Sequence, residues 1–427
     1  VWRAGMTAIP LNAKLHPKEF SWIFENAGMD LVFASQNIAR EITFDKSIIS
    51  IGDNDYKKHF KGESLSTVDI NSNIPAWIFY TSGTTGNPKG AVLTHQNLLA
   101  MSYAYFADVG EITELDTRLH CAPMSHGSGL YAIPFILKGA NNIISPKGFD
   151  PDYITNVLSN RQNISFFAAP TMIKLLMQSD SVGGDISGLK TICYGGGPMY
   201  LSDIKKALQI FGPSLYQLYG QGESPMTISN ITKKMHSSSE DVDLDYILSS
   251  VGTARTGVEV AIFSDKGEEM PPDTIGEIVT RSACVMSGYL NDDTATNKTL
   301  RNGWLYTGDL GKIDKSGILT LKDRSKDMII SGGMNIYPRE IEDILIKLPT
   351  VKEVAVVGAK SKTWGEQVVA FLAGSATHEE LDSYCLEHLA RFKRPKKYIF
   401  LESLPKNNYG KILKKNLRDQ LLGRTFD

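Results

Sequence analysis

Residues 80–90 read Tyr80-Thr81-Ser82-Gly83-Thr84-Thr85-Gly86-Asn87-Pro88-Lys89-Gly90 and directly follow a short apolar run that predicts a strand. Small residues let backbone N–H groups approach phosphate oxygens, hydroxyls add donors, and a lysine adds positive charge. The order excludes a Walker A loop, because Pro88 precedes Lys89 and Gly90 follows it. The stretch indicates a phosphate-binding loop of another kind. A plain surface turn is the alternative for any bare Gly/Ser/Thr cluster.

Apolar runs and helical patterns alternate on both sides of this loop, from the start of the chain to about residue 220. Predicted strands include residues 6–10, 31–34, 165–168 and 191–194, with predicted helices such as 171–178 and 202–211 among them. Continuous apolar strands separated by helices predict parallel sheets that are covered on both faces. This part of the chain therefore predicts an α/β fold.

Two changes of texture divide the rest of the chain. From about residue 251 to 323, predicted strands alternate with Gly, Pro and Asp turns, which indicates a β-rich subdomain. After the charged stretch 322–327, helices and strands mix again. We therefore predict an α/β protein with two domains. The large N-terminal domain, residues 1–324, combines parallel α/β sheets with the β-rich subdomain, and residues 325–427 form a smaller α+β domain.

The composition narrows the functional classes. The 427 residues are 42% hydrophobic, and 45 Lys and Arg against 47 Asp and Glu leave a formal charge of −2. This balance gives no support to a nucleic-acid partner. The cysteines are widely spaced, so a reducing, cytoplasmic location is expected. No apolar run is long enough for a transmembrane segment, and no signal peptide is expected. The start, Val1-Trp2 without an initiator Met, predicts a fragment.

Six further segments follow the loop along the chain. They are 119–127 (LHCAPMSHG), 194–199 (YGGGPM), 219–223 (YGQGE), 306–309 (YTGD), the region 323–342 with DRSK, SGG and YPREIE, and 405–411 (PKNNYGK). Together with residues 80–90, they resemble the adenylate-forming superfamily of acyl-CoA synthetases, peptide-synthetase adenylation domains and luciferases. Seven matches in the family's order, over nearly the whole chain, argue against chance.

The resemblance implies an acid–thiol ligase. A carboxylate attacks the α-phosphorus of ATP, pyrophosphate leaves, and the acyl group of the adenylate is transferred to CoA. Such a site must hold a polyanion, offset charge in the transition state and exclude water. ATP, Mg²⁺ and CoA are the implied cofactors and co-substrates, and a small carboxylic acid is the implied partner. In the family the C-terminal domain is mobile and rotates between the half-reactions. The oligomeric state stays open.

The resemblance also assigns roles to residues. Lys411 is implied to offset charge at the α-phosphate, Glu223 to bind Mg²⁺, and His126 to border the acyl pocket. Thr84 is the second implied metal contact. Nucleotide and thiol contacts are implied for Thr81, Ser82, Gly83, Thr84, Thr85, Gly86, Lys89, Gly195, Gly196, Gly197, Pro198, Tyr219, Gly220, Gln221, Asp309, Arg324, Lys326, Gly332 and Gly333.

Some of these positions have specific implied tasks. Asp309 accepts the ribose hydroxyls, Tyr219 stacks on adenine, Lys326 is the hinge, and Gly333 lies where the thiol passes. From the residues alone, a turn aspartate, a packed tyrosine and a Gly-Gly hairpin turn remain alternatives. The same holds for Lys411, which has several surface lysines nearby.

The predicted substrate class depends on the absence of an acidic side chain in the loop implied to lead into the acyl pocket. Residues 124–130 contain no acidic side chain to pair with an ammonium group, which argues against amino acids. Residues 166–171 are mainly apolar, so a fatty or aryl acid is predicted, with fatty acid metabolism as one context. A ligase that loads a carrier protein is one alternative. A catalytically lapsed nucleotide-binding protein is the other.

Two features depart from the superfamily. Gly222 stands where a threonine is usual, so one hydroxyl donor to the AMP phosphate is absent, and a backbone N–H or Ser224 is the candidate replacement. Losing one such hydrogen bond costs on the order of 1–3 kcal/mol. The family's chain also has helices and strands before the segment that resembles residues 3–11. We therefore expect part of the first α/β subdomain to be missing.

Overall fold

The computed structural model describes residues 1–59, 61–62, 66–81, 88–197, 199–237, 243–407 and 410–422. Its strands are β1 (Leu31–Ser35), β2 (Ser47–Ile51), β3 (Pro75–Thr81), β4 (Lys89–Thr94), β5 (Thr117–His120), β6 (Asn141–Ile144), β7 (Ile164–Ala168), β8 (Leu189–Gly195), β9 (Leu215–Gln221), β10 (Ser224–Ile231), β11 (Thr253–Ala254), β12 (Glu259–Phe263), β13 (Gly276–Arg281), β14 (Gly288–Tyr289), β15 (Leu300–Arg301), β16 (Trp304–Ile313), β17 (Leu319–Arg324), β18 (Ile329–Ser331), β19 (Met334–Ile336), β20 (Val351–Ser361), β21 (Gly365–Gly374) and β22 (Lys397–Phe400).

The helices are α1 (Pro17–Asn26), α2 (Gln36–Glu41), α3 (Asn54–Lys58), α4 (His95–Asp108), α5 (Gly127–Leu130), α6 (Ala132–Leu137), α7 (Pro151–Asn160), α8 (Pro170–Gln178), α9 (Leu201–Phe211), α10 (Lys233–His236), α11 (Leu244–Leu248), α12 (Asp293–Thr299), α13 (Pro338–Leu345), α14 (His378–His388) and α15 (Lys414–Asp419). Short 3₁₀ turns lie at Trp2–Ala4, Asp180–Gly183 and Gly212–Ser214. Within the described ranges, every helix is too short or too polar to cross a lipid bilayer.

The central sheet has the strand order β11-β10-β9-β8-β7-β5-β6. Strands β5 to β9 pair in parallel, as predicted, whereas β10 and β11 extend the edge antiparallel. Helices α4 and α6 bury one face of the sheet with side chains such as Met101, Tyr105 and Phe135. Helices α7, α8 and α9 cover the other face. The α/β fold predicted from the sequence is confirmed, and residues 219–223 form the end of β9 and the turn to β10.

The phosphate-loop segment connects two antiparallel strands rather than a strand and a helix. Strands β3 and β4 pair with each other, and β14 joins β4 on its other side. Strands β12, β13, β15, β16 and β17 form the sheet expected in the β-rich region. Two short strands of that region join other sheets: β11 pairs with β10, and β14 pairs with β4. The pairing of β14 places Tyr289 opposite Ala91, next to the last residues of the 80–90 segment.

One strand prediction is wrong. Residues 6–10 form no strand in the described chain, and only Ala8 makes an isolated parallel bridge, to Trp77. The apolar pattern of this segment reflects packing against β3 rather than membership of a sheet. The four cysteines are buried and free.

The C-terminal unit is an α+β sandwich. Its sheet has the order β19-β18-β21-β20, with β22 parallel to β21. Helices α13 and α14 pack on one face, and α15 packs on the other. The predicted boundary at residues 324–325 falls where β17 ends, and it stays a prediction. The unit approaches the large domain at Gly410, where an added Cβ would lie 2.7 Å from Oγ1 of Thr171.

Two buried histidines, His120 and His236, and the partly buried His126 predict acid sensitivity of the fold. Burial lowers the pKa of His120, His126 and His236 to about 4. Because this value is below the pKa of about 6.5 in the unfolded chain, the unfolded state binds more protons between the two. Stability is thus complete above pH 6.5 and is lost as the pH falls toward 4. Each histidine contributes up to about 1.4 kcal/mol per pH unit.

Urea unfolding at pH 7.5, 6 and 5 measures this slope. The variant His236→Gln is expected to flatten it, and His388→Gln, at an exposed histidine, should leave it unchanged. A free energy of unfolding that stays constant from pH 7.5 to 5 would contradict the prediction.

Candidate active site

Asp309 gathers three of the predicted nucleotide-binding side chains. It lies on β16 opposite Arg324 of β17. The Tyr219 hydroxyl and the Gln221 amide each donate to Oδ2 of Asp309 at 2.7 Å, and Nε of Arg324 lies 2.7 Å from Oδ1. The Asp309 side chain is 9% exposed. A carboxylate has about four acceptor positions, so two ribose hydroxyls bind only if a protein donor gives way.

Backbone packing explains the glycines beside this cluster. Gly195 ends β8 opposite Leu218 of β9, and an added Cβ would lie 2.3 Å from the Leu218 carbonyl oxygen. An added Cβ at Gly220 would lie 2.5 Å from the backbone nitrogen of Met226. Gly195 and Gly220 thus lie on neighbouring strands, and each packs too closely against other backbone atoms to carry a side chain.

The phosphate loop itself is only partly described. Its ends lie on paired strands, with Thr81 opposite Lys89, and the Thr81 hydroxyl donates to the Lys89 carbonyl at 3.4 Å. The predicted contacts Ser82, Gly83, Thr84, Thr85 and Gly86, and Pro198 of the other segment, lie outside the described residues.

Glu223 is held by a residue that the sequence did not reveal. The Tyr289 hydroxyl donates to Oε1 of Glu223 at 2.6 Å, and the Glu223 carbonyl accepts from the backbone N–H of Met286 at 2.8 Å. The ammonium of Lys89 lies 5.3 Å from the centre of the Tyr289 ring and 3.9 Å from Oδ2 of Asp292. Glu223 and Lys89, two residues of the predicted phosphate site, thus both contact Tyr289.

The donor chemistry at Glu223 fits Mg²⁺. The Tyr289 hydroxyl bonds Oε1, and within the described residues Oε2 has no hydrogen-bond partner and is open to a cation. Among the described residues no cluster of three or more His, Cys, Asp or Glu side chains could hold a metal alone. A single carboxylate suits Mg²⁺, which is commonly bound by one or two carboxylates together with substrate phosphates and water. Thr84, the second predicted metal contact, lies outside the described residues.

Gly222 is explained by its neighbours. An added Cβ would lie 2.6 Å from Cδ1 of Phe79 and 2.7 Å from Cγ2 of Thr81, so the aromatic ring takes the space that a threonine needs. Ser224 does not replace the missing hydroxyl, because it is fully buried and bonded to Thr227 at 2.9 Å. That candidate replacement was wrong.

The variant Gly222→Thr is therefore expected to lower the free energy of unfolding by about 1–3 kcal/mol, the usual cost of overpacking. Adding Phe79→Leu should recover at least half of that loss, because the smaller side chain frees the space. Urea unfolding of the two single variants and the double variant measures the coupling. Equal stability of Gly222→Thr and the unchanged chain would contradict this explanation.

His126 lies next to aromatic and apolar side chains of the large domain. Its ring packs edge-on against Phe79, with 5.0 Å between centroids, and its Nδ1 lies 3.0 Å from the Ser125 hydroxyl. Its pKa of about 4 keeps the imidazole neutral at pH 7. The next residue, Gly127, faces Met226 and Phe167, whose atoms would lie 2.8 and 3.6 Å from an added Cβ.

The charges of Arg324 and Asp309 both act on Lys411. Its backbone N–H donates to Oδ1 of Asn407 at 2.9 Å, and its side chain is exposed. Nearby protein atoms still lower its pKa by desolvation, followed by the positive charge of Arg324. Desolvation also lowers the pKa of Lys326, the predicted hinge residue. The structure thus brings both predicted lysines to the side of Asp309 and Arg324.

Gly332 and Gly333 form the tight turn between β18 and β19. Ser331 pairs with Met334 across it, and both glycines have left-handed φ values of 57° and 78°. The two glycines thus form the hairpin turn that the sequence left as one alternative. Trp364, which no motif indicated, is 53% exposed and would lie 2.9 Å from an added Cβ at Gly332. An open indole thus flanks the turn.

Known proteins resemble the chain over nearly all of its length. A family model described as AMP-binding enzyme matches residues 1–290, and one described as AMP-binding enzyme C-terminal domain matches residues 340–411. The 2-succinylbenzoate–CoA ligase of Bacillus mycoides (strain KBAB4) is 34% identical over 420 residues, 97% of this chain and 83% of that protein.

Two solved structures are similar in fold. ATP-bound MatB from Rhodopseudomonas palustris has a TM-score of 0.87 and 28% identity over 98% of this chain and 84% of that chain. The o-succinylbenzoate CoA synthetase MenE from Bacillus subtilis, in complex with the acyl-adenylate intermediate OSB-AMP, has a TM-score of 0.83. Its identity is 28% over 99% of this chain and 84% of that chain.

Proposed function

The chain belongs to the family of AMP-binding enzymes and is an ATP-dependent, AMP-forming acid–CoA ligase, and we propose that its acid is an aryl acid of the 2-succinylbenzoate type. The observation that carries this proposal is the set of aromatic and sulfur-containing side chains beside His126 and Gly127. Phe79 packs edge-on against His126, and Met226 and Phe167 lie nearest to Gly127. Aromatic pairs add attraction beyond their buried area.

The substrate proposal favours one of the two classes that the sequence left open. The ligase of Bacillus mycoides and MenE of Bacillus subtilis are both named for succinylbenzoate, an aromatic acid, and neither name refers to a fatty acid. Burial lowers the pKa of His126 to about 4, so the imidazole beside these aromatic side chains carries no charge at pH 7.

The residues divide the first half-reaction between them. We assign Asp309 to the ribose, Lys89 to the departing phosphates, and Lys411 to the α-phosphate, where its cationic side chain offsets developing charge. Glu223 and Thr84 would hold Mg²⁺, which neutralises phosphate charge when bound. For the second half-reaction, we assign the turn at Gly333 to the passage of the CoA thiol, with Lys326 as the hinge between the two arrangements.

Pyrophosphate release tests this function directly. The protein is incubated with ATP and Mg²⁺ and with 2-succinylbenzoate, benzoate, a long-chain fatty acid or an amino acid, each with and without CoA. We expect release with the aryl acids that rises with CoA, with AMP and a CoA thioester formed in equal amounts. The matched variants Lys411→Ala and Lys415→Ala separate enzymatic release from contamination.

The other outcomes each point elsewhere. Release with the fatty acid alone would overturn the aryl class. Acid-dependent release that ignores CoA would favour a carrier protein as the acceptor. ATP binding without release from any acid would favour a lapsed nucleotide-binding protein.

A further inference from the structure

Tyr289 connects two elements that carry opposite charges of the phosphate site. The segment around it is fixed to both elements by its backbone. Leu290 N–H donates to the Gly90 carbonyl and Met286 N–H to the Glu223 carbonyl, each at 2.8 Å. The Tyr289 N–H donates to the Thr296 hydroxyl, also at 2.8 Å. The backbone at Tyr289 is therefore held in place between the turn at Glu223 and β4.

From this position the side chain contacts both Glu223 and Lys89. Its hydroxyl donates to Oε1 of Glu223 at 2.6 Å, and its ring faces the ammonium of Lys89 at 5.3 Å from the centroid. A hydrogen bond from a neutral hydroxyl to a carboxylate is short and strong. A cation over an aromatic face is attracted but not neutralised. Both charges are oriented, and neither is cancelled by the other.

We propose that Tyr289 is a positioning residue for magnesium-bound ATP, acting through Glu223 and Lys89. This inference rests on the proposed function, because it takes Glu223 as the metal ligand. The hydroxyl fixes Oε1, so Oε2 is presented in one orientation. The ring holds the ammonium of Lys89 at the start of β4. Residues that orient a metal ligand typically change metal affinity about 10–100-fold when they are removed.

The variant Tyr289→Phe tests the hydroxyl alone, because the ring and its contact with Lys89 remain. We expect the Mg²⁺ concentration for half-maximal pyrophosphate release to rise about 10-fold. The maximal rate at saturating Mg²⁺ should stay within about 3-fold, because excess metal compensates for a poorly oriented ligand. Thioester formation from a supplied acyl adenylate should be unchanged.

A binding measurement without acid provides a second readout. Calorimetric titration with ATP, in Mg²⁺ or in EDTA, gives the factor by which Mg²⁺ strengthens ATP binding. We expect Tyr289→Phe to reduce this factor about 10-fold while leaving binding in EDTA unchanged. In the Glu223→Gln background, Tyr289→Phe should have no further effect on it, since the hydroxyl acts through that carboxylate.

Tyr246 offers a matched control. Its hydroxyl donates to Oδ2 of Asp314 at 2.6 Å, the same chemistry at an exposed position away from the cluster. Tyr246→Phe should leave the Mg²⁺ dependence unchanged. The inference is overturned if Tyr289→Phe lowers thermal stability but keeps the Mg²⁺ dependence, or if ATP binding to the unchanged protein does not respond to Mg²⁺. Failure of the proposed function differs, because Mg²⁺-dependent ATP binding would then persist without pyrophosphate release.

Discussion

Replacing Lys411 with alanine is expected to slow adenylation about 10²–10³-fold and to leave thioester formation from a supplied acyl adenylate nearly unchanged. The magnitude is that of losing one preorganised group that stabilises developing charge. The selectivity follows from the position of the side chain. The charges of Arg324 and Asp309 both act on its pKa, and Asp309 is the residue proposed to bind the ribose.

Two assays separate the half-reactions. Acid-dependent exchange of pyrophosphate into ATP reports adenylation, and CoA thioester formation from synthetic acyl adenylate reports transfer. Lys415→Ala is the matched control, because Lys415 is an exposed lysine in the neighbouring helix α15. Equal losses in both assays would show that Lys411 supports the fold or both steps rather than adenylation.

The substitution Gly333→Leu is expected to do the reverse, with transfer to CoA falling about 100-fold and adenylation largely kept. The structure leaves open space at this position, with nothing within 4 Å of an added Cβ. A bulky side chain would therefore enter the space proposed for the thiol. Misplacement of a reacting group by about 1 Å can cost about 10²-fold.

Backbone strain needs its own control here. Gly333 has φ 78°, where a side chain costs about 1–2 kcal/mol. Gly317, at the tip of the hairpin between β16 and β17, has φ 84° and equally open surroundings. Gly317→Leu should therefore show a similar loss of stability without a defect in transfer. Unimpaired CoA transfer in Gly333→Leu would reject the assignment of the thiol path.

The sequence predicted those parts of the site in which order along the chain carries the information. Asp309, Tyr219, Gln221 and Arg324 were recognised from short motifs, and the structure joins them through one carboxylate. The parallel core of the central sheet was also predictable, because its strands are continuous apolar runs between helices.

The contacts that the sequence did not reveal join distant segments through short elements. Tyr289 lies in a two-residue strand, which is too short for any periodic pattern, and it reaches Glu223, 66 residues away. The clash of Phe79 with a side chain at position 222 depends on the volume between two sheets. Trp364, in the turn between β20 and β21, lies beside Gly332, in the turn between β18 and β19. Such contacts depend on three-dimensional packing, which single-sequence patterns do not encode.

The crowded carboxylate of Asp309 has a consequence for turnover. Tyr219, Gln221 and Arg324 already satisfy most of its acceptor positions. With Asp309 as the proposed ribose contact, ribose hydroxyls must compete with these donors on entry, and the same donors return when the nucleotide leaves. The carboxylate is then hydrogen-bonded both with and without nucleotide, which favours release of AMP before the next ATP binds.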